Sequence, residues 1–400
     1  MGGPNQKLRI LLVMNGLGWA GAETQLVHLA IGLAENGHQV EILAIGSTTI
    51  DLEPLHAAGV KTTAVFASTR FAKVRSVGTI FRHARRADVV HCTGWDATLW
   101  GRLGALLARR PMLITEHTPG RELQVSRSGD RRVRLINLHN WILGRFTAAN
   151  IVVAQWQIKL LEDEGVPAAS IVHIPNAVPV DELRRRSTEG PTRESLGIPD
   201  AVKVLAHVAR FSPQKGQATT VRALGRLREE LGDVRVLFVG EGQEQGAVET
   251  AAADLGPDAA YFLGLRDDVP GLLALADLAV LPSLGEGLPM SLIEALALGT
   301  PVVASDVGDI PWLLERWDGG VCVDKDDWEA FERACRSILE DPVAHERLSR
   351  RGYEGASRFD ADGMTRRYEA VFKAAVEGGP LPRFEAEFEA DAGTPTLRPA

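Results

Sequence analysis

Residues 278–305 read LAVLPSLGEGLPMSLIEALALGTPVVAS, and this stretch decides the fold. It begins with a short apolar run and ends with another at 302–305, and both are typical of buried β-strands. Between them, Pro289 suits the first turn of a helix and Gly299 suits the position just past its end, which predicts a helix over residues 289–298. The stretch therefore predicts strand, glycine-rich turn, helix and strand.

Two carboxylates stand in this stretch. Glu286 lies on the turn and Glu294 in the helix, with seven residues between them. The helix is otherwise apolar, and an unpaired carboxylate buried in it would be costly. Either Glu294 lies on an exposed stripe in water, or it holds a partner. The spacing alone leaves both interpretations open.

The composition indicates a globular chain with two domains, because 400 residues exceed one ordinary hydrophobic core. Apolar residues make up 45% of the chain, yet no run approaches the ~20 residues that span a bilayer. The apolar run after Lys7 is too short for a signal peptide. Three cysteines without a paired spacing suggest a reducing compartment, so we expect a cytoplasmic location.

Charge is divided unevenly along the chain. Residues 1–186 carry a net charge of +7 and the remaining residues carry −15. This asymmetry favours attraction between the two halves, or a basic N-terminal face turned toward phosphates or an anionic membrane. The basic residues are scattered and no aromatic-rich binding motif accompanies them, so no nucleic-acid partner is expected.

The first predicted strand, residues 7–14, runs into a glycine-rich loop before a helix. Gly16, Gly18 and Gly21 match the G-x-G-x-x-G fingerprint of dinucleotide-binding folds. That fingerprint needs an acid at the end of the second strand, and Gly-Ser-Thr stands there at 46–48. We therefore favour a loop whose backbone N–H groups approach a diphosphate, or a simple tight turn.

Short apolar runs alternate with helical stretches up to residue 176, which predicts a parallel sheet with right-handed crossovers. His117 directly follows one of these strands, at the edge where open α/β sheets bind ligands. Residues 127–146 predict a basic amphipathic helix, for which a core-facing position is favoured over a membrane surface. The apolar periodicity lapses at 179–200, which predicts a linker.

A second domain opens with a predicted strand at 202–210 that runs into a loop and a helix. Arg210 and Lys215 bring two cations to the N-terminus of that helix, which predicts an anion site. Further on, Asp324 and Asp326 form a D-x-D pattern that binds metal in some enzymes. Here a helix follows directly, so helix capping is favoured.

Together these motifs resemble the retaining glycosyltransferases of family 4. Glu286 and Glu294 match the E-x7-E motif with its Gly-Leu-Pro context. Residues 206–215 resemble the family's Arg- and Lys-bearing segment, residues 16–23 resemble its glycine-rich loop, and His117 resembles its sugar-side histidine. The resemblance implies the GT-B fold: α/β, with two Rossmann-like domains whose parallel sheets face a central cleft, and a C-terminal helix returning to the N-terminal domain.

The implied domain boundaries follow the chain in order. Residues 1–178 form an N-terminal acceptor-side domain, 179–200 a linker, and 201–358 a nucleotide-sugar-binding domain. Residues 359–377 form a returning helix, and the acidic tail at 378–400 is expected to be disordered.

The resemblance also implies a reaction in which a sugar passes from a nucleoside diphosphate to an acceptor hydroxyl with retention of configuration. Arg210 and Lys215 stabilise the charge on the leaving diphosphate without a metal ion. By this resemblance Glu294 is expected to bind the ribose hydroxyls, Glu286 to bind the transferred sugar, and His117 to reach that sugar from the other domain. The implied catalytic residues are His117, Arg210, Lys215 and Glu286, and no protein nucleophile is required.

The implied donor-binding set adds backbone groups to these side chains. It comprises Gly18, Gly21, Arg210, Lys215, Gly285, Glu286, Gly287, Leu288, Pro289 and Glu294. The expected donor is a UDP- or GDP-sugar, and neither a metal nor a further cofactor is expected. The expected acceptor is a glycan, a lipid-linked molecule or a small molecule, with peripheral contact to an anionic membrane left open.

Three positions depart from the family pattern. Trp19-Ala20 replaces a smaller pair in the first loop, and Pro179 stands where an Asp is usual. Asp309 replaces a glycine and brings negative charge toward the donor. Two alternatives to a transferase stay open: an epimerase of the same fold acting on the nucleotide sugar, and a binding subunit without turnover.

Overall fold

A computed structural model describes residues 6–18, 21–65, 70–117 and 144–389, without the side chains of 70–75. The described chain divides into two compact units. The first comprises the residues up to Ala177 together with Ala361–Glu389, and the second comprises Val178–Asp360. The predicted pair of parallel-sheet α/β domains is confirmed.

The first unit is built on a seven-stranded parallel sheet with the order β3-β2-β1-β4-β5-β6-β7. Its strands are β1 Arg9–Met14, β2 Gln39–Ala44, β3 Lys61–Ala64, β4 Val89–Thr93, β5 Met112–Glu116, β6 Thr147–Val152 and β7 Ile171–His173. Its first helices are α1 Gly21–Glu35, α2 Glu53–Ala57, α3 Arg70–Ala84, α4 Trp95–Ala108 and α5 Trp156–Asp163. Helices on a parallel sheet bury its strands, which explains the continuous apolar run of β1.

The second unit repeats this plan with a six-stranded parallel sheet in the order β10-β9-β8-β11-β12-β13. Its strands are β8 Lys203–Val208, β9 Val234–Val239, β10 Ala260–Phe262, β11 Leu278–Leu281, β12 Val302–Ser305 and β13 Gly320–Val323. Its helices are α6 Val180–Thr188, α7 Gln217–Leu231, α8 Gln245–Ala253, α9 Val269–Ala274, α10 Met290–Ala297, α11 Ile310–Trp317, α12 Trp328–Glu340 and α13 Pro342–Gly355.

Both sheets reverse their strand order once, between β1 and β4 in the first unit and between β8 and β11 in the second. The loops leaving the carboxyl ends of such a strand pair diverge to opposite faces of the sheet. The crevice between them is where open α/β sheets bind ligands. The fold therefore points to the ends of β1 and β4 in the first unit and to the ends of β8 and β11 in the second.

Residues 179–200, which we expected to form a linker, contain α6 and belong to the second unit. Val180 and Leu183 are buried there. The guanidinium of Arg184 donates to the carbonyl of Ala297 at 3.1 Å and lies over the Tyr353 ring at 3.5 Å. Periodicity missed this helix because an arginine packs through its stem and planar head rather than through an apolar side chain.

The chain returns to the first unit through α14, Ala361–Glu377, and ends its described part with α15, Glu385–Glu389. On α14, Tyr368 accepts or donates a 3.0 Å hydrogen bond with Thr115 and packs edge-on against His91. This helix completes the core on that side of the sheet. The predicted return of the C-terminal helix is confirmed.

The tail was expected to be disordered from residue 378, and this expectation is wrong for the described residues up to 389. Phe384 and Phe388 are buried, and Phe388 lies against the His173 ring. Arg383 donates to the carbonyls of Ala168 and Ile171 at 2.8 and 2.7 Å. Composition suggested disorder because two phenylalanines in an acidic segment contribute little to its average. Residues 390–400 lie outside the described part.

The predicted basic helix at 127–146 also falls largely outside the described residues, which resume at Gly144–Phe146. No helix of the described chain combines the length and apolarity needed to cross a bilayer.

We predict that Phe388→Ala destabilises the first unit, because it exposes apolar surface and leaves a gap beside His173. Loss of one buried phenylalanine costs about 3 kcal/mol, enough to lower the unfolding temperature by several degrees. Thermal unfolding followed by circular dichroism measures the effect. Phe146→Ala is the matched control, since Phe146 is 59% exposed. Equal melting of the two variants would contradict the docked tail.

Candidate functional site

The loops after β8 and β11 meet at the carboxyl edge of the second sheet. The backbone N–H of Leu284 donates to the carbonyl of Gln214 at 2.7 Å, and the Gln214 side chain donates to the carbonyl of Gly285. Gly216 has a φ of 71°, and a Cβ atom there would lie 1.9 Å from the carbonyl oxygen of Pro282. Only glycine permits this approach, so the two loops form one surface.

A third loop, after β12, closes on the same surface. Gly308 has a φ of 59°, and a Cβ atom there would lie 2.2 Å from the carbonyl oxygen of Glu286. The N–H of Asp309 donates to the carbonyl of Gly287 at 3.0 Å. The backbone around Glu286 is therefore held from both sides. Asp309 itself is 3% exposed, so its predicted negative charge lies beneath this surface.

Lys215 and Glu286 form an ion pair across these loops. The Nζ atom of Lys215 lies 2.6 Å from Oε1 and 2.9 Å from Oε2 of Glu286. The side chains are 22% and 7% exposed. Both oxygens of the carboxylate therefore contact one ammonium group, and sequence reasoning, which gave the two residues separate ligands, did not predict the pair.

Glu294 lies on α10, the helix that the sequence predicted over 289–298 and the structure bounds at Met290–Ala297. The apolar residues of this helix are buried; Glu294 as a whole residue is partly exposed, but its carboxylate is enclosed by the protein. Among the described residues, the Glu294 carboxylate has no hydrogen-bond or ion-pair partner. Burial raises its pKa to about 7, and the positive charge of Arg186 on α6 offsets part of that rise. The carboxylate is therefore available to accept hydrogen bonds from a ligand.

Arg210 follows β8 and is exposed. Its guanidinium has no ion pair within the described ranges. It stands near the N-terminus of α7, where Gly216 is the N-cap and no side chain caps the helix. Free N–H groups at a helix N-terminus and a nearby guanidinium both favour an anion. The two cations of the predicted anion site, Arg210 and Lys215, thus both follow β8, where the strand order reverses. Lys215 is already in an ion pair with Glu286.

The glycine-rich loop of the first unit follows β1. Gly16 lies against Ser47, where a Cβ atom would be 2.7 Å from the carbonyl oxygen, so this glycine has a packing role. Gly18 has more space, with Thr49 at 3.7 Å from a Cβ position, and Gly21 begins α1. Trp19 and Ala20 lie outside the described residues.

Glu41, the acid nearest to a dinucleotide-binding position, is engaged within the fold. Its carboxylate accepts from Thr63 at 3.2 Å and lies 2.9 Å from Nδ1 of His83. These contacts give Glu41 a structural role. They support the interpretation of the loop without a dinucleotide.

His117 follows β5 in the first unit. Burial lowers its pKa to about 4, so its imidazole is neutral at physiological pH. Its Nδ1 atom is buried and has no hydrogen-bond partner among the described residues. The neighbouring His91 is also neutral, its pKa lowered to about 3 by burial and by His117, and it bonds Thr115 at 2.7 Å. His117 therefore offers an uncharged ring nitrogen.

The D-x-D pattern directly precedes α12, and the residue that caps this helix is Asp327, one position after the pattern. The Asp327 side chain accepts from the N–H of Ala330 at 2.7 Å and caps α12, while Asp324 accepts from the N–H of Asp326 at 2.9 Å. No group of three or more His, Cys, Asp and Glu side chains suited to a metal ion occurs in the described part of the chain.

Sequence reasoning missed the groups that assemble the site. Gln214, Gly216 and Gly308 hold the loops together, and Arg186 faces Glu294 from the supposed linker. The glycines carried a signal, since each stands in a loop after a predicted strand. The pairing of Lys215 with Glu286 carried none, because nothing in one sequence tells which loops are adjacent.

Comparison with known proteins relates both units to glycosyltransferases. The model of the family Glycosyltransferase Family 4 matches residues 19–182, and that of Glycosyl transferases group 1 matches residues 189–355. The phosphatidyl-myo-inositol mannosyltransferase of Mycolicibacterium smegmatis is 29% identical over 371 residues, covering 89% of this chain and 92% of the relative. The N-acetyl-alpha-D-glucosaminyl L-malate synthase of Bacillus anthracis is 29% identical over 182 residues, covering 45% and 48%.

Solved structures share the fold. HepE of Anabaena in complex with UDP and glucose aligns with a TM-score of 0.80 at 21% identity, covering 92% of this chain and all of that one. WaaG, a glycosyltransferase involved in lipopolysaccharide biosynthesis, aligns with a TM-score of 0.71 at 17% identity, covering 91% and 99%. Two family models that follow one another along the chain, relatives named as glycosyltransferases and GT-B neighbours lead to one conclusion: the chain belongs to the family 4 glycosyltransferases, enzymes of the hexosyltransferase type.

Proposed function

We propose that this glycosyltransferase moves a hexosyl group from a nucleoside diphosphate sugar to an acceptor hydroxyl, with retention of configuration and without a metal ion. The observation that carries the proposal is the contact of Lys215 with Glu286 between the loops after β8 and β11, with Arg210 on the first loop and Glu294 on the helix that follows the second. Two cations and a helix N-terminus suit a diphosphate, and two carboxylates suit hydroxyl groups.

Each side chain takes one part of the donor. Arg210, Lys215 and the N-terminus of α7 bind the diphosphate and stabilise the charge that develops as the glycosidic bond breaks. Glu294 accepts from the ribose hydroxyls, which supply the partner that it lacks. Glu286 accepts from hydroxyls of the transferred sugar, supported by the backbone of Gly285, Gly287, Leu288 and Pro289.

The first unit contributes the remaining proposed contacts. The neutral ring of His117 binds a hydroxyl of the transferred sugar, a role supported by its Nδ1 atom, which has no hydrogen-bond partner in the part of the chain that the structure describes. Backbone N–H groups of Gly18 and Gly21, at the start of α1, approach the diphosphate. The acceptor's proton passes to the leaving phosphate, so the protein supplies positioning and charge stabilisation rather than a nucleophile.

UDP- and GDP-sugars are the proposed donors. HepE, which shares the fold, is described in complexes with UDP, UDP-glucose, and UDP with glucose, and a relative is named a mannosyltransferase. The acceptors named for relatives include a phosphatidylinositol and L-malate. We propose a hydroxyl acceptor on a glycan, a lipid carrier or a small molecule, in a cytoplasmic glycan-biosynthetic setting.

We predict that a panel of UDP- and GDP-hexoses yields one donor from which the protein releases nucleoside diphosphate, with undiminished rate in EDTA. Arg210→Ala should lower kcat/KM by 100-fold or more, since charge stabilisation in the transition state is worth about 3 kcal/mol. Absence of release from every donor would contradict a transferase. Sugar interconversion without an acceptor would support the epimerase instead, and binding without turnover would support a binding subunit.

We predict opposite effects of Glu294→Gln on stability and on donor binding. An acid whose pKa is raised by folding loses folded-state stability as pH rises from its unfolded value toward its folded value, here from about 4.5 to about 7. The variant lacks this loss, so its melting temperature relative to wild type should rise between pH 5 and pH 8. Donor affinity should fall about tenfold, because hydrogen bonds to a charged acceptor are lost.

The exposed Glu346 provides the control for that experiment. Glu346→Gln should leave the difference from wild type constant between pH 5 and pH 8. A constant difference for Glu294→Gln as well would rule out the raised pKa.

The sequence favours a core-facing helix at 127–146, and the alternative, a peripheral contact of this basic segment with anionic membranes, has a direct test. Sedimentation with vesicles containing phosphatidylglycerol should fall as salt rises. The variant R131Q/R132Q/R134Q should sediment less than R226Q/R333Q/R350Q, which removes equal charge from exposed positions of the second unit. Indistinguishable sedimentation of the two variants would count against this contact.

A further inference from the structure

Lys215 and Glu286, which the proposed function assigns to different parts of the donor, bind each other in the structure. The ammonium group lies within 2.9 Å of both carboxylate oxygens. A diphosphate and a sugar hydroxyl each need one partner of this pair. The existing contact therefore bears on how the donor is recognised.

The backbones of both residues are fixed. Gly216, directly after Lys215, lies against Pro282, and the N–H of Lys215 donates to the carbonyl of Ser212 at 3.0 Å. On the other side, Gly308 lies against the carbonyl oxygens of Glu286 and Gly287. The pair cannot separate by moving its loops without breaking these contacts, so any change of partner occurs in the side chains.

The two side chains differ in freedom and in exposure. Lysine carries its charge on a four-carbon stem with three equivalent donors, whereas the glutamate stem is shorter. Lys215 is 22% exposed and Glu286 is 7% exposed. The mobile partner is therefore Lys215, and Glu286 is the stationary one.

The free-energy balance favours exchange once a diphosphate arrives. A partly buried ion pair gains little net free energy from its own contact but resists loss of either partner. A diphosphate group offers the ammonium a more highly charged acceptor in the same crevice, beside Arg210 and the N-terminus of α7. Glu286, left without its ammonium, then needs hydrogen-bond donors, and sugar hydroxyls are donors.

We propose that donor binding exchanges the partner of Lys215: the diphosphate takes the ammonium group from Glu286, and the freed carboxylate then accepts hydrogen bonds from the sugar. This inference rests on the proposed function and adds an order to it. Lys215 binds the diphosphate first, and Glu286 binds the sugar only when the diphosphate is present. Without a diphosphate, the Glu286 carboxylate is paired with Lys215 and does not bind a free sugar.

The first test measures UDP and GDP affinity by calorimetry. Glu286→Gln removes the competitor for Lys215, so the variant should bind the preferred nucleoside diphosphate on the order of tenfold more tightly than wild type. The control is Glu241→Gln, since Glu241 is an exposed acid just after β9 with no ion pair among the described residues. Removal of its charge should leave the affinity unchanged.

The second test separates exchange from simple relief of repulsion. Wild type should bind glucose or mannose several-fold more tightly with saturating nucleoside diphosphate than without it, measured by saturation-transfer NMR. In Lys215→Met the carboxylate is free from the start, so the diphosphate should no longer change the sugar affinity. This measurement does not depend on how well Glu286→Gln folds.

The outcomes separate the inference from the function. If wild type binds neither UDP nor GDP, the proposed function fails and the inference fails with it. Suppose that wild type binds one of them. If Glu286→Gln binds it with the affinity of wild type, or with the same affinity as Glu241→Gln, only the exchange is overturned. Sugar affinity that is independent of nucleoside diphosphate in wild type also overturns it.

Discussion

Backbone contact between three loops is the constraint on which the candidate donor site depends. The segments after β8, β11 and β12 approach so closely that a single Cβ atom at Gly216 or Gly308 would overlap a carbonyl oxygen. These contacts bring Lys215 and Glu286 within reach from fixed starting points. The geometry of the site is thus set by glycines, which have no functional group. The charged side chains extend from a backbone arrangement that these glycines make possible.

The site holds its carboxylates in two different ways. Glu286 is 7% exposed, and both of its carboxylate oxygens contact the ammonium group of Lys215. Glu294 has no such partner in the described structure, and burial instead shifts its ionisation toward neutrality. Glu286 has a partner within the protein. Glu294 has none among the described residues, so its enclosed carboxylate lowers the stability of the folded state when it is ionised. Such local costs are typical of binding sites.

Much of this architecture could be predicted from the sequence. Alternating apolar runs gave the parallel sheets, Pro289 and Gly299 gave the bounds of α10 to within one residue, and the acid pair pointed to the site. Strand β13 was missed, because its short stretch begins with glycine and lacks a helical or alternating pattern. Helix α6 was missed because only Val180 and Leu183 form its apolar face, and the docked tail was missed because two isolated phenylalanines provide its burial. Adjacency of loops, and hence the Lys215–Glu286 pair, depends on strand order, which periodicity does not encode.

The path of the chain through its two units has a consequence for biosynthesis. The second unit is continuous from Val178 to Asp360, whereas the first takes its last helices from Ala361–Glu389. Tyr368 and Phe372 of α14 are fully enclosed in the first unit, and Thr365 fits the space that Gly32 leaves open on α1. A ribosome synthesises these residues only after the whole of the second unit. The first unit can therefore complete its core only after the second unit has been synthesised, although all seven of its strands come earlier in the chain.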